Sequence, residues 1–211
     1  MKQDTRKKVK ELCKIDLDEA YNLARKTEWY WYRVQALATV ARHTKPRNRF
    51  IKITKEALQA ACETQEPNRT LSCSAWVLSA MAERKDVSIQ ATVEDLLKII
   101  EREVNPVCQA DALLLIFEAI YYRKEVRKIV LSPLIKACQE MRSWKQPRIL
   151  KDIALIVAID DLALANEVVE MIKKDSIKRQ AKEAIRENDW LGPHDFFPFY
   201  VKTTYDTNYS K

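Results

Sequence analysis

Few side chains in the sequence have a type and spacing that would support catalysis or metal binding. Its two histidines, His43 and His194, lie far apart, and neither belongs to a His-Glu-x-x-His motif or to the Cys/His spacing of a zinc site. The Gly-x-Ser-x-Gly motif of hydrolases and the paired Glu-x-x-His motifs of di-metal bundles are also absent. We therefore expect no catalytic residue, no metal site and no cofactor, and interpret the protein as a non-enzyme.

The cysteines are odd in number and include no Cys-x-x-Cys pair. Each has apolar neighbours in a helix-like stretch, which is typical of small core residues in a reducing compartment. We expect all five of them to be free thiols of this kind: Cys13, Cys62, Cys73, Cys108 and Cys138.

The glycine content restricts the fold more than any motif does. One glycine is present in 211 residues, where average usage would give about 15. Phosphate-binding loops, dinucleotide-binding fingerprints and tight β-hairpins all use glycine for backbone conformations that are costly for other residues. The composition therefore argues against P-loop enzymes, Rossmann enzymes and β-sandwiches, and it predicts an all-α protein.

The apolar runs are short. The two longest, residues 112–117 and 153–159, are well below the roughly 20 residues that cross a bilayer. The charged amino terminus is not followed by the apolar stretch of a secretory signal. We therefore expect no membrane insertion and a cytoplasmic location.

Several helix boundaries can be predicted from local signals. Residues 16–19 have the spacing of a capping box, and Asn105-Pro106 and Ser132-Pro133 each place a capping residue before a proline at the first helical position. Gly192, followed by a proline, predicts the end of the last helix. Between such signals lie amphipathic segments of about 12 to 18 residues.

Related segments recur along the chain. Each places small residues between larger apolar ones, and aligning the segments brings together Ala36, Ala75, Ala110 and Ala181. Their separations of 39, 35 and 71 residues fit a repeat of 35 to 39 residues in which one unit is passed over. Helix-turn-helix repeats have this length, and they stack because one hairpin cannot bury its own apolar face. An irregular helical bundle with chance alanine spacing is the alternative.

On this pattern the sequence resembles, in architecture, the HEAT/TPR-like helical-hairpin repeat proteins over about residues 16–190. The fixed Trp, Leu-Gly and Tyr positions of the TPR consensus are absent, so the resemblance assigns no individual site residue. It implies a right-handed superhelix of about five stacked antiparallel helical hairpins, an α-solenoid with a concave binding surface. The expected units are residues 1–44, 45–86, 87–124, 125–158 and 159–191.

The end of the chain differs from the repeats, because it is dense in phenylalanine and tyrosine and contains two prolines. We therefore divide the sequence into a helical-repeat domain, residues 1–191, and a non-helical aromatic tail, residues 192–211. The last hairpin of a solenoid needs a cover. The tail is expected either to pack on that hairpin or to extend from it and recruit a partner.

Positive charge is concentrated in residues 123–151, called here the basic segment. It holds nine lysines and arginines against two acidic residues, an excess that attracts phosphate, acidic proteins or a membrane surface. Arg142, Trp144, Lys145 and Arg148 combine cations with a ring that can stack on a base. The alternative is a solvated face that maintains solubility, since no nucleic-acid-binding motif accompanies the charge.

A second candidate contact region is the aromatic run Trp29, Tyr30, Trp31 and Tyr32, followed by Arg33. Four consecutive side chains point in all directions around a helix, so at least one should face outward or into a neighbouring unit. Tryptophan and tyrosine are typical anchors of protein interfaces. The alternative is that the rings pack between the first two hairpins.

Together these patterns predict a non-catalytic scaffold that binds another protein through a concave surface. The aromatic run and the basic segment are the candidate contact regions. Binding of a nucleic-acid backbone through residues 123–151 is the alternative function.

Overall fold

The structure is a computed structural model that describes residues 5–190 and residue 192 of the chain. This part of the chain forms eleven α-helices and one short 3-10 turn and contains no strand, which confirms the all-α prediction for it. None of these helices combines the length and the apolarity needed to span a membrane. Except for Gly192, the predicted tail and its aromatic residues lie outside the described residues, as does His194.

The helices and the turn have the following bounds: α1 Thr5–Leu12, α2 Leu17–Arg25, α3 Tyr30–His43, α4 Arg47–Ala61, the 3-10 turn Cys62–Thr64, α5 Pro67–Ala82, α6 Gln90–Ile100, α7 Pro106–Ala119, α8 Lys124–Glu140, α9 Gln146–Ala158, α10 Leu162–Glu170 and α11 Asp175–Glu187. Four of the five predicted units contain two helices each. Unit 1–44 contains three.

Local capping explains where several helices begin. The Asp16 carboxylate accepts hydrogen bonds from the backbone N–H groups of Asp18 and Glu19, and so satisfies two donors that the first turn of α2 leaves free. The Asn105 side chain caps α7 in the same way, with a proline at the first helical position. Both predicted starts are confirmed.

Two other boundary predictions are wrong. Pro133 lies inside α8 rather than at the start of a helix, because Val130, Leu134 and the residues after them bury one continuous face of α8 against the core. The last helix ends at Glu187, before Gly192, because Asn188 adopts the left-handed conformation with φ of 52°. Asparagine tolerates that conformation at a helix end better than most residues do.

The central odd-numbered helices, α3, α5, α7 and α9, form most of the interior of the fold, whereas α1 and α11 each bury a single residue. Every residue from 34 to 41 in α3 is buried, and α5 buries 11 of its 16 residues. Each odd-numbered helix packs against the next odd-numbered one, which gives a row that runs from α1 to α11. The even-numbered helices pack against odd-numbered helices next to them in sequence. The even helices bury one face: five of the 17 residues of α8 are buried. Buried residues from Val9 to Ala181 form one continuous core.

Arginine contacts show that neighbouring odd helices point the same way. Arg84, after the end of α5, donates to the carbonyls of Thr44 and Lys45 at the end of α3, at 2.9 and 3.1 Å. Arg123, after the end of α7, donates to the carbonyls of Ala82 (2.8 Å) and Arg84. These contacts satisfy carbonyls that helix ends leave without intrahelical partners. They place the ends of α3, α5 and α7 together at one edge.

The opposite edge carries the turns that precede the odd helices, and we call it the amino edge. Lys145, just before α9, contacts Asp111 in the first half of α7 with Nζ and Oδ2 2.6 Å apart. At the far edge the ring of Trp190, after α11, lies 4.8 Å from the ring of Tyr121, after α7. The starts of α7, α9 and α11 therefore share the amino edge. The turns along it are residues 26–29, 62–66, 101–105, 141–145 and 171–174.

Candidate functional site

Both candidate contact regions lie on the amino edge. Trp29–Arg33 spans the α2–α3 turn and the start of α3, and Arg142–Arg148 spans the α8–α9 turn and the start of α9. Three helix spacings separate α3 from α9 along the row, which corresponds to roughly 25–30 Å at the usual packing distance. The structure therefore does not bring the two regions together into one small site.

The aromatic run divides between the core and the surface. Tyr30 and Trp31 are half-buried and pack against the core. Trp29 precedes the first turn of α3 and is 71% exposed, and Tyr32 is 41% exposed. The guanidinium carbon of Arg6 lies 4.2 Å from the centre of the Tyr32 ring, so α1 covers one face of that ring. Trp29 is thus the most exposed ring of the run.

A polar cleft of about 450 Å³ opens next to this turn, between α2, α3 and α4. Arg25 Nε and Glu56 Oε1 are 2.6 Å apart across the cleft, and Arg33 pairs with Glu63 at 2.8 Å. The buried Nε atom of Arg33 makes no hydrogen bond to any described residue. The complete lining is Asn22, Arg25, Lys26, Arg33, Glu56, Gln59, Ala60 and Glu63.

The chemistry available in this cleft is recognition of charged and polar groups. Arg25 and Arg33 are each held by an ion pair, so the positions of these two cations are set before any ligand arrives. Tyr21 donates a hydrogen bond to Glu56, and burial together with that carboxylate raises the pKa of the phenol. The phenol therefore remains protonated at neutral pH. Among the described residues, no group of three or more His, Cys, Asp and Glu side chains could hold a metal ion.

Most cations of the basic segment are occupied by internal contacts. Arg123 donates to backbone carbonyls at the end of α5, and Arg127 is 4% exposed and bound to Asp160. Lys145 reaches back to α7, as described above. The remaining ion pairs are Lys124–Asp160, Lys128–Glu125 and Lys136–Glu140. Six of the nine cations that the sequence analysis counted therefore make a contact within the fold, although Lys128 and Lys136 do so in exposed surface pairs.

The other three cations of the basic segment, Arg142, Arg148 and Lys151, have no carboxylate within ion-pair distance in the described part of the chain. Trp144 is 71% exposed, and the guanidinium carbon of Arg148 lies 5.0 Å from the centre of its ring. The structure thus joins Trp144 and Arg148 at the amino edge. Lys145, from the same predicted group, serves instead to connect α9 to α7.

The cysteines differ in burial, and His43 contacts the backbone of its own helix. Burial raises the pKa of Cys73 and Cys138 to about 12 and that of Cys13 to about 11, so these thiols stay protonated at neutral pH. All five cysteines are free, but Cys62 is exposed, and the core prediction is wrong for it because it caps the exposed end of α4. His43 Nδ1 contacts a backbone carbonyl of α3 at 2.9 Å.

No family model matches this sequence, and comparisons with curated proteins and with solved structures found no match. The proposals below rest on the contacts and exposures of this chain.

Asp152 in α9 provides a prediction of pH-dependent stability. Burial raises the pKa of its carboxyl, while the nearby charges of Lys151 and Arg148 oppose that shift. Because the folded-state pKa lies above the unfolded-state value, the ionised carboxylate destabilises the fold at neutral pH. Asp152→Asn should therefore raise the melting temperature at pH 7. The gain should shrink as the pH falls through the raised folded-state pKa and vanish below the unfolded-state value.

Thermal melts of both proteins between pH 3 and pH 7 would measure this effect. Asp95→Asn is the matched control, because Asp95 is exposed and pairs with Lys98 on the surface of α6. A gain for Asp152→Asn that stays constant across the pH range would contradict the prediction.

Proposed function

We propose that the chain is a non-catalytic α-solenoid, a right-handed stack of helical hairpins, that binds another protein in the cytoplasm. The starts of α3, α5, α7 and α9 at residues 30, 67, 106 and 146 support a repeat, since their spacing is close to that of the alanine pattern. Each helix packs mainly on neighbours one or two helices away in sequence. Such neighbour-to-neighbour packing is typical of stacked repeats.

The observation that favours a protein partner is the exposure of Trp29 beside the polar cleft. A ring that is 71% exposed contributes apolar area that a partner can bury, whereas most large rings are at least half covered by their own fold. Lys26 and Arg33, from the same turn and helix, line the cleft. An aromatic anchor with a charged rim is the usual composition of an interface hot spot.

Preformed geometry would assist this binding. The cleft side chains are already held by ion pairs between α2 and α4 and between α3 and the turn after α4. A partner that docks there orders few additional side chains, so it loses less conformational entropy on binding. The proposed mechanism is rigid presentation of Trp29 and the cleft.

Nucleic-acid binding through residues 123–151 is the second candidate. It is favoured by the exposed ring of Trp144 next to Arg148, since an aromatic ring and a guanidinium can stack on a base and contact a phosphate. It is weakened by the internal pairing of six of the nine cations, because backbone affinity depends on the number of phosphates neutralised.

Affinity purification with the full-length chain tests the protein-binding proposal. The bait is incubated at moderate salt with extract of its native source, with and without nuclease treatment, and a specific protein should be retained in both cases. Trp29→Ala should lower its retention by about tenfold or more, the usual loss at an interface hot spot. Leu162→Ala is the control, because Leu162 is exposed but lies at the opposite edge. Capture that is abolished by nuclease would favour the second candidate, and equal retention by Trp29→Ala would contradict the proposed site.

A further inference from the structure

Exposed cations without ion-pair partners collect around Trp144 at one end of the amino edge. Lys173 and Lys174, in the α10–α11 turn, are exposed and have no ion-pair partner among the described residues, as is the case for Arg142 and Arg148. We call this set the Trp144 patch. Its members are Arg142, Trp144, Arg148, Lys173 and Lys174.

The fold brings the two turns of this patch close to each other. Helices α9 and α11 pack together, and both begin at the amino edge. Packed helices have axes 8–10 Å apart, so the α8–α9 and α10–α11 turns are about 10 Å apart. The carboxylates near them in sequence are Glu140, which is paired with Lys136, Asp152, on whose carboxyl the charge of Arg148 acts, and Asp175. The four cations of the patch therefore outnumber the carboxylates around it.

We propose that the Trp144 patch binds an acidic peptide segment of a partner protein, with one apolar side chain of the peptide packed on the exposed face of Trp144. This inference rests on the proposed function, because it gives the chemistry of a protein partner. Arg142 and Arg148 bind carboxylates of the peptide. The planar guanidinium is well suited to this, because it can donate two parallel hydrogen bonds to one carboxylate. Lys173 and Lys174 bind a further acidic residue from the neighbouring turn.

The distribution of charge favours a peptide over a nucleic acid. The cations of the Trp144 patch lie in two neighbouring turns and in the first turn of α9, while Lys145 in the same α8–α9 turn is held by Asp111. A nucleic-acid backbone presents phosphates at regular intervals and is usually bound by a longer track of cations with several stacking rings. Arg148 already covers one face of Trp144. The free face of the Trp144 ring can bind one apolar side chain, and the compact set of cations around it can bind a few carboxylates. A short acidic peptide with a single apolar side chain has this composition.

Fluorescence anisotropy with the full-length protein tests the inference. The probe is a labelled synthetic peptide in which glutamates flank one phenylalanine. Comparison peptides replace either the glutamates by glutamine or the phenylalanine by alanine, and a labelled single-stranded oligouridine serves as the nucleic-acid probe. The acidic peptide should bind, and each comparison peptide should bind at least about tenfold more weakly, since each lacks one half of the recognition.

Variants of the protein assign the binding to the patch. Trp144→Ala and the double variant Arg142→Glu/Arg148→Glu should each weaken binding of the acidic peptide by about tenfold or more. The control is Lys52→Glu/Lys55→Glu, which makes the same change in net charge at exposed positions of α4, away from the patch. Circular dichroism melts establish that every variant is folded.

The outcomes are distinct. Equal weakening by the control overturns the inference, because binding would then follow net charge alone. Failure of the acidic peptide to bind also overturns it, as does tighter, patch-dependent binding of oligouridine. A partner captured through Trp29 while the peptide fails would leave the proposed function standing and remove this inference.

Discussion

Replacing Arg127 with methionine is expected to lower the free energy of unfolding by about 2 kcal/mol. The Arg127 guanidinium is buried, donates to Asp160 Oδ1 at 2.7 Å and to the carbonyl of Tyr121, and lies over the ring of Phe117. Methionine fills part of the space but leaves the Asp160 carboxylate with Lys124 alone, at 3.9 Å. The Tyr121 carbonyl also loses this donor. The cost arises on the buried side of the contact, because the Tyr121 carbonyl loses its donor and the space around the guanidinium is only partly filled, whereas Asp160 is exposed.

Chemical denaturation of the wild-type protein and four variants, one of them Asp160→Asn alone, would measure this effect. Lys128→Met, one residue further along α8, removes an exposed pair with Glu125 and should cost less than about 0.5 kcal/mol. The double variant Arg127→Met/Asp160→Asn should cost less than the sum of its single changes, because it leaves no unpaired charge. A loss for Arg127→Met no larger than that for Lys128→Met would show that the Arg127 contacts contribute little.

Arg127 illustrates how neighbouring units are joined. Its pair with Asp160 connects α8 to the turn after α9 across 33 residues of sequence, and Arg84 and Arg123 make comparable contacts across about 40 residues. Each arginine binds groups near a helix end one unit away. Because helix ends expose unpaired carbonyls, such side chains link units and satisfy the backbone at the same time.

Helix boundaries that depend on signals within a few residues were predicted well from the sequence. Asp16 and Asn105 cap helices because a short polar side chain reaches N–H groups two or three residues ahead, whatever the rest of the fold does. Pro133 shows the limit of such signals. Its local preference for a helix start was overcome by the burial of Val130 and Leu134 on one continuous face of α8.

The candidate site was harder to predict, because it depends on contacts between distant residues. Counting charges in residues 123–151 could not show that Asp111 and Asp160, outside that segment, hold Lys145 and Arg127. Lys173 and Lys174 were not in the predicted site at all, since their proximity to Trp144 arises from the packing of α9 against α11. Helical geometry predicted that the four rings of the aromatic run would face different ways, but it could not predict which ring would be exposed.

Replacing Ala75 with leucine is the second substitution with a large expected effect, a loss of about 3 kcal/mol. Ala75 is completely buried in α5, which packs against α3 on one side and α7 on the other. Three additional carbon atoms have no space between these helices, so the helices must separate or the leucine must adopt a strained rotamer. The cost arises from packing, because leucine and alanine have similar helix propensities.

Ala163→Leu in α10 makes the same change at an exposed position, so it should change stability by less than about 0.5 kcal/mol. The contrast tests whether the recurring alanines mark places where helices approach closely, as the repeat requires, or only reflect the helix propensity of alanine. In the first case Ala36→Leu and Ala110→Leu should be as costly as Ala75→Leu, because each of these alanines is fully buried in an odd-numbered helix. If all four variants unfold at the denaturant concentration of the wild-type protein, the alanine spacing is not a packing signal, and the repeat inferred from it loses its physical basis.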